Sequence, residues 1–134
     1  MIIFSKKNKK KIIGIIFRNK NIKKKRINLC PVSENIQVST QKLNKNFIVK
    51  PHVHINFNSK KINSTQEVWL ILKGTAEIKI YDIDKKYLKK INLKDGDMYI
   101  LLNGGHDMKV KKNTIFYEIK NGPYNPKIKD IQYF

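Results

Sequence analysis

The sequence is poor in features that define several common protein classes. It contains a single cysteine, Cys30, which excludes an internal disulfide framework and favours a reducing compartment, the cytoplasm. It also lacks a long hydrophobic run. The apolar stretch at residues 12–17 follows a lysine block but ends at Arg18, too early to cross a bilayer and without the small-residue cleavage site of a secretory signal. We therefore expect no membrane association.

Signals of several enzyme classes are missing as well. There is no glycine-rich phosphate-binding loop, no internal repeat and no helical periodicity longer than one turn. A catalytic triad is not indicated, because Cys30 has no histidine near it in the sequence and all three histidines belong to another pattern. The sequence thus argues against a P-loop nucleotide-binding protein and against a hydrolase with a histidine-activated nucleophile.

Arginine and acidic residues are scarce, and this limits what the charge implies. The 29 basic residues outnumber 10 acidic ones, for a formal net charge of +19, yet only Arg18 and Arg26 are arginines. Specific recognition of bases or phosphates favours arginine, whose guanidinium binds in a bidentate manner. A surplus of Lys, Ile and Asn is what an AT-rich coding sequence produces. We expect no specific nucleic-acid partner, although the positive field could steer an anionic small molecule to the protein.

The sequence contains many short strand patterns separated by turn residues. Residues 36–41 and 76–81 alternate apolar and polar side chains, whereas residues 67–72 are apolar on both faces, as in a strand that is covered on both sides. About nine or ten such strands in 134 residues predict one all-β domain, a double-sheet jelly roll or small barrel.

We divide the chain into three parts on this basis. Residues 1–26 form a basic N-terminal segment with one strand that packs on the barrel. Residues 27–120 form the barrel. Residues 121–134 contain Gly122, Pro123 and Pro126 and are expected to be an irregular tail.

The three histidines and one glutamate form a candidate metal site. His52 and His54 point to the same face of an extended chain, because side chains alternate along a strand. Glu67 begins a later apolar strand, and His106 follows a tight glycine turn. Three neutral imidazoles and one carboxylate are a ligand set for a divalent transition metal such as Fe, Mn, Ni or Zn, with positions left open for water or substrate. The alternative is that these histidines only fill the core or the surface.

Three residues near the end of the barrel are candidate catalytic groups. Glu118 and Lys120 share one strand face, and Tyr117 lies on the other. If the first face points inward, Glu118 and Lys120 form an acid/base pair beside the metal. The alternative is a solvated pair on the outer face. Tyr117 and Tyr99 could each offer a phenol to a substrate, or could simply fill the core.

The histidine and glutamate pattern resembles the two conserved motifs of the cupin superfamily. In cupins the first motif supplies two histidines and a glutamate, and the second supplies a third histidine. The resemblance implies a cupin jelly-roll barrel, also called a double-stranded β-helix, and the metal ligands His52, His54, Glu67 and His106. Two features depart from the family pattern. The gap of 12 residues between His54 and Glu67 is unusually long, and Leu102 replaces the usual proline before the last histidine.

A narrower resemblance extends over roughly residues 12–134. The segments 64–68, 104–106, 117–124 and 129–134 are similar to small stand-alone cupins encoded beside surface-polysaccharide and nucleotide-sugar genes. This resemblance implies a homodimeric, metal-dependent enzyme that acts on a small polar metabolite, sugar-derived or anionic, by isomerisation, epimerisation, lyase chemistry or oxygenation. The alternative is a non-catalytic cupin that binds or senses a small molecule.

Overall fold

The computed structural model describes residues 1–56, 61–62, 65–125 and 130–134. These residues form strands β1 to β11 and a single 3-10 turn at Asn19–Asn21, which confirms the all-β, single-domain prediction. None of their helical segments is long and apolar enough to cross a membrane. The strands are β1 (Ile2–Phe4), β2 (Ile12–Ile15), β3 (Arg26–Asn28), β4 (Ile36–Leu43), β5 (Ile48–Asn56), β6 (Lys61–Ile62), β7 (Glu67–Tyr81), β8 (Tyr87–Lys94), β9 (Met98–Leu101), β10 (Gly105–Asn121) and β11 (Ile131–Tyr133).

Two long antiparallel strands, β7 and β10, lie at the centre of the barrel and belong to both of its halves. In the first half, β8 pairs with the end of β7, and β5 pairs with the start of β10. In the second half, β9 pairs with the start of β7, and β4 pairs with the end of β10. The outer strands are β11 and β6 beside β5, and β3 beside β4. The sheet therefore folds over on itself and encloses a core.

The change from one half to the other occurs at Gly74. The β7–β10 ladder contains several register shifts between Val110 and Phe116, and such bulges bend paired strands. Gly74 has a φ of +105°, and a Cβ there would collide with the Asn113 carbonyl oxygen and with Thr114. The sequence indicates separate strands before and after Gly74. The structure has one continuous strand instead, because glycine allows the bend without breaking the ladder.

The core fills the space between the two halves. Along β7 the buried positions alternate with half-buried ones from Glu67 to Ile71 and resume at Ala76 and Ile78. The apolar members of the core include Trp69, Ile71, Ala76, Ile78, Leu101, Met108, Val110 and Phe116. Glu67 lies on the same face as Trp69 and is thus a carboxylate at the edge of this apolar cluster.

The N-terminal segment differs from its prediction. Where the sequence predicts one strand, the structure has two, and β1 and β2 pair with each other as a separate two-stranded sheet. The lysine-rich connection contains a turn in which the Ser5 hydroxyl accepts a hydrogen bond from the Asn8 backbone N–H. Residues 2–4 are Ile, Ile and Phe, residue types that favour strands, and they form the partner that β2 needs.

The tail also differs from its prediction. Residues 131–133 are not irregular but form β11, which pairs with the strand that carries His52 and His54. A segment of three residues is too short to give a recognisable alternation, so this strand depends on the free edge that β5 provides. Much of the long gap before Glu67, namely residues 57–60 and 63–64, lies outside the described residues.

We predict that Gly74→Ala destabilises the fold. The φ of +105° disfavours any side chain, and the new Cβ would have no room beside Asn113. We expect the free energy of unfolding to fall by about 2 kcal/mol or more, measured by urea denaturation. Gly14→Ala is the matched control, because nothing lies within 4 Å of a Cβ at that position. Equal stability of the two variants would contradict the importance of the bend.

Candidate metal centre

The candidate ligands come from three strands. His52 and His54 lie on the inward face of β5, Glu67 begins β7, and His106 is near the start of β10. His106 is the direct ladder partner of His52, so the β5–β10 pairing alone brings two imidazoles together. Both halves of the barrel contribute, since the histidines belong to the first half and Glu67 to the second.

A glycine turn places His106, as the sequence indicates. Gly104 has a φ of +83°, and a Cβ there would collide with the Tyr81 carbonyl oxygen. The chain can therefore pass close to the end of β7 and then pair at once with β5. This close approach is possible because the residue lacks a side chain.

The four side chains converge on one small volume. One potential ligand atom from each of His52, His54, Glu67 and His106 lies within 4.8 Å of the other three. The Nε2 atoms of His52 and His106 are 3.0 Å apart. Glu67 Oε2 is 3.3 Å from Nε2 of His54 and 3.3 Å from Nε2 of His106. Ligands about 2.1 Å from a metal and roughly 90–110° apart are separated by about 3.0–3.4 Å, so these separations suit a single ion.

The hydrogen bonding of these atoms also fits a metal. His52 Nδ1 donates to the Lys50 carbonyl oxygen at 2.7 Å, which leaves the lone pair of Nε2 facing the cluster. Both ring nitrogens of His54, and Oε2 of Glu67, are buried without a hydrogen-bond partner among the described residues. An unpaired buried polar atom costs about 1–3 kcal/mol, and metal coordination would remove that cost for the atoms facing the cluster. The four residues thus fit a divalent transition metal.

The electrostatics of the cluster favour the same conclusion. Burial lowers the pKa of His52, and burial together with the neighbouring imidazoles lowers the pKa of His106 well below its usual value. Both rings are therefore neutral, the form that binds metals. Burial raises the pKa of Glu67, against the effect of a close contact with His54. A divalent cation would stabilise the Glu67 carboxylate that burial disfavours.

An aromatic wall holds His106 in place. The Trp69 ring stacks on the His106 ring with centroids 4.3 Å apart and planes 14° from parallel. The Tyr99 ring packs against both, with its centroid 5.7 Å from that of Trp69 and 5.8 Å from that of His106, and burial is the main reason that the pKa of Tyr99 is raised. Tyr99 is thus part of the core packing, which is one of the two roles considered for it from the sequence.

The comparisons with known proteins identify the fold. No family model matches the sequence, and no curated protein matches it. Among solved structures, KdgF from a Halomonas species has a TM-score of 0.59 at 12% identity, over 76% of this chain and 82% of that one. A cupin superfamily protein from Desulfitobacterium hafniense has a TM-score of 0.55 at 20% identity, over 72% and 74%. A variant of Bacillus subtilis oxalate decarboxylase has a TM-score of 0.60 at 17% identity, over 78% and 25%.

The chain has the cupin fold. It spans about a quarter of the length of oxalate decarboxylase, an enzyme with Mn(II) centres. These identities are low, so the comparisons establish the fold and leave the reaction to be argued from this chain's own residues.

A cavity of about 210 Å³ inside the cupin barrel reaches three of the four candidate metal ligands, and we call it the metal cavity. Its walls include His52, His54 and Glu67, together with the apolar side chains of Leu43, Phe47, Val49, Trp69 and Phe116. Glu118 and Lys120 line the same cavity. Of the two orientations considered from the sequence, the structure therefore has both charged side chains directed inward.

Glu118 is held by three donors. Its Oε1 accepts a hydrogen bond from Arg26 Nη2 at 2.7 Å and one from the Ser39 hydroxyl at 3.2 Å. Its Oε2 accepts a hydrogen bond from the Gln41 amide at 3.2 Å. Lys120 donates instead to Asp130 Oδ2 at 2.7 Å. The cavity thus contains the Arg26–Glu118 ion pair and the ammonium group of Lys120, whose partner Asp130 is not among its walls.

Tyr117 lies away from this cavity. It occupies the opposite face of β10, and its hydroxyl donates to Asn19 Oδ1 at 2.6 Å. The structure therefore does not bring the Tyr117 phenol to the metal cluster. The contact instead joins the barrel to the 3-10 turn of the N-terminal segment.

Sequence reasoning missed Arg26, which lines the cavity, and Asp130, which pairs with Lys120. Arg26 was assigned only to the basic N-terminal segment, yet it pairs with a carboxylate 92 positions later in the chain. Asp130 looked like part of an irregular tail. No local pattern marks either residue, because each is defined by a partner on another strand.

We predict that His106→Ala and Glu67→Gln abolish stoichiometric metal binding. Wild-type protein purified without an affinity tag should hold about one Fe, Mn, Ni or Zn per chain, by elemental analysis. Loss of a direct ligand should weaken metal affinity by more than about 10–100-fold, which is the loss typical of replacing a residue that hydrogen-bonds to a ligand. Metal should also raise the melting temperature of the wild type only.

The exposed neighbour Gln66 offers a control. Gln66→Ala removes a side chain next to Glu67 but outside the cluster, so metal content should not change. Full metal occupancy in His106→Ala, or a wild type that takes up no metal even when it is supplied, would show that the cluster is not a metal site.

Proposed function

We propose that this cupin is a metal-dependent enzyme that moves a proton on a small polar metabolite, in an isomerisation, epimerisation or lyase reaction. The observation that carries the proposal is the position of Glu118 in the cavity of His52, His54 and Glu67. A carboxylate beside a metal site is the arrangement that proton abstraction next to a polarised carbonyl requires.

The metal would supply Lewis-acid polarisation of a carbonyl or hydroxyl oxygen of the substrate. The three histidines and Glu67 suit Fe, Mn, Ni or Zn, and the Mn(II) centres of oxalate decarboxylase, which has the same fold, support a divalent transition metal here. The apolar walls formed by Trp69, Phe116 and Leu43 would keep bulk water from the reacting atoms.

Glu118 would act as the base through Oε2. Arg26 and Ser39 both bind Oε1, and this fixes the orientation of the carboxylate. Among the described residues, Oε2 has only the neutral Gln41 amide as a partner, so it retains a lone pair for a substrate proton. Lys120 would return a proton or neutralise developing negative charge from the same strand face, two residues away. Tyr117 faces Asn19 and has no part in this scheme.

Two alternatives keep support from particular observations. Oxygenation by an Fe(II) form is compatible with a ligand set that leaves positions open. A non-catalytic binding or sensing role is supported by the three donors on Glu118, since an ion pair with Arg26 can be purely structural. Product formation separates the first role from the second.

The proposed setting is a cytoplasmic homodimer that acts on a sugar-derived or nucleotide-sugar substrate. A reducing compartment suits the free Cys30. Exposed apolar side chains on the N-terminal strands, including Ile2, Phe4 and Ile13, support an interface with a second copy.

We predict that Glu118→Gln lowers kcat by about 10²–10⁴-fold while metal content stays at the wild-type level. The assay would screen nucleotide sugars and keto-sugars with the metal-loaded protein, and would follow both product and deuterium incorporation from heavy water. The amide keeps the size of the side chain but cannot take the proton.

Glu77→Gln is the control, because Glu77 forms ion pairs with Lys90 and Lys111 outside the cavity. It should leave activity unchanged. Unchanged turnover by Glu118→Gln would refute the proposed base. Substrate binding by the wild type without product or deuterium exchange would favour the sensing role.

A further inference from the structure

A second cavity lies beside the metal cavity. It has a volume of about 190 Å³ and lies against β3, β4 and the end of β10. The two cavities share four wall residues, namely Arg26, Glu118, Lys120 and Ile131. The two cavities thus adjoin along a border that is largely charged.

The two cavities differ in the chemistry of their remaining walls. Beyond its ligands, the metal cavity is mostly apolar, with Trp69 and Phe116 among its walls. The second cavity has the polar side chains of Asn28, Ser39 and Asp130. Pockets for drug-sized ligands usually measure about 300–1,000 Å³, so each cavity alone suits only a small group and the pair suits one small metabolite. This division would place the reacting carbon near the metal and polar substituents in the second cavity.

Lys120 is the principal cation of the shared wall. Its side chain is only 12% exposed, and Asp130, its partner at 2.7 Å, is 28% exposed. The ammonium group also lies 5.4 Å from the centre of the Tyr124 ring. An ammonium has three N–H donors, and Asp130 takes one of them. No other acceptor among the described residues takes the remaining two, which are left for a ligand in either cavity.

Arg26 adds a second cation at the rim. Its side chain is 45% exposed, and it donates from Nε to Asn28 and from Nη2 to Glu118. The guanidinium is therefore held in a fixed orientation, and its remaining nitrogen, Nη1, has no hydrogen bond to the part of the chain that the structure describes. Removing charges from water is costly, and a buried ion pair is weak evidence for stability alone. Two ion pairs that include three of the four residues shared by the cavities therefore point to a role in binding.

We propose that the second cavity is a subsite for an anionic group, a carboxylate or phosphate, on a hydroxylated substrate, and that Lys120 is the residue that binds the anion. Arg26 adds a second positive charge at the rim, and Asn28 and Ser39 offer hydrogen bonds to the hydroxyl groups of the substrate. This inference rests on the proposed function, because that function places the other end of the substrate at the metal.

A purely structural role for Lys120 makes a different prediction. Asp130 directly precedes β11, so the Lys120–Asp130 pair could serve only to hold that strand against the barrel. Replacing Lys120 or replacing Asp130 would then change anion binding to the same extent. If Lys120 binds an anion, loss of Lys120 weakens binding, whereas loss of the competing carboxylate of Asp130 does not.

The test measures binding to the full-length, Zn-loaded chain by calorimetry. The probes are gluconate, sorbitol 6-phosphate and neutral sorbitol, which share a six-carbon hydroxylated chain and differ in charge. We expect the wild type to prefer at least one anion to sorbitol. Lys120→Gln should weaken binding of that anion about 10–100-fold, as for loss of a hydrogen bond to a charged group. Asp130→Asn should bind it as tightly as the wild type or more tightly.

Lys111→Gln is the matched control. Lys111 also lies on β10 and also forms an ion pair, with Glu77 at 3.2 Å, but it is outside both cavities. It should bind all probes as the wild type does. Circular dichroism of each variant would establish that the fold is retained.

Three results would overturn the proposal. They are equal binding by Lys120→Gln and wild type, equal losses in Lys120→Gln and Asp130→Asn, and no preference of the wild type for either anion over sorbitol.

A repeat with metal-free protein excludes direct binding of the anion to zinc. Anion binding that requires the metal and ignores Lys120 would count against the subsite. If the chain takes up no metal, the proposed function fails, but Lys120-dependent binding by the metal-free protein would still support the subsite.

Discussion

The convergence of three imidazoles and one carboxylate in the buried interior is the constraint on which the rest of the structure depends. His52, His54 and His106 come from one half of the barrel and Glu67 from the other, so the cluster lies where the two halves face each other. Without a cation, this arrangement leaves buried nitrogen and oxygen atoms unpaired among the described residues. A metal would satisfy those that face the cluster and at the same time join the two halves. Metal binding and fold stability should therefore be coupled.

The bend at Gly74 makes this convergence possible. Because β7 and β10 cross from one half to the other together, the start of β10 pairs beside His52 while its end pairs beside Glu67. Lys120 is the ladder partner of Glu67, and Glu118 is the ladder partner of Trp69. One continuous strand therefore carries a metal ligand at one end and the candidate proton-transfer and anion-binding groups at the other.

The charges inside the barrel are organised differently from those outside. The chain as a whole carries +19, which creates a field that attracts anions. Inside, the carboxylates of Glu118 and Asp130 are each matched by one cation, Arg26 or Lys120. These paired charges lie near the candidate metal ligands, with Lys120 mostly buried and Arg26 at the rim. A small anion would meet an attractive field first and specific donors only inside.

The sequence by itself determined the all-β fold and the glycine turn before His106. It also determined that His52 and His54 share one strand face and that Glu67 shares a face with Trp69. These follow from the two-residue alternation of strands and from backbone sterics, which are local. Alternation groups Glu118 with Lys120 and sets Tyr117 opposite, but it does not say which group faces inward when both faces are mixed. Only the tertiary structure decided that, together with the Arg26–Glu118 pair, the hairpin of β1 and β2, and the strand at residues 131–133. Each of these depends on a partner distant in the chain, and no local pattern encodes such a partner.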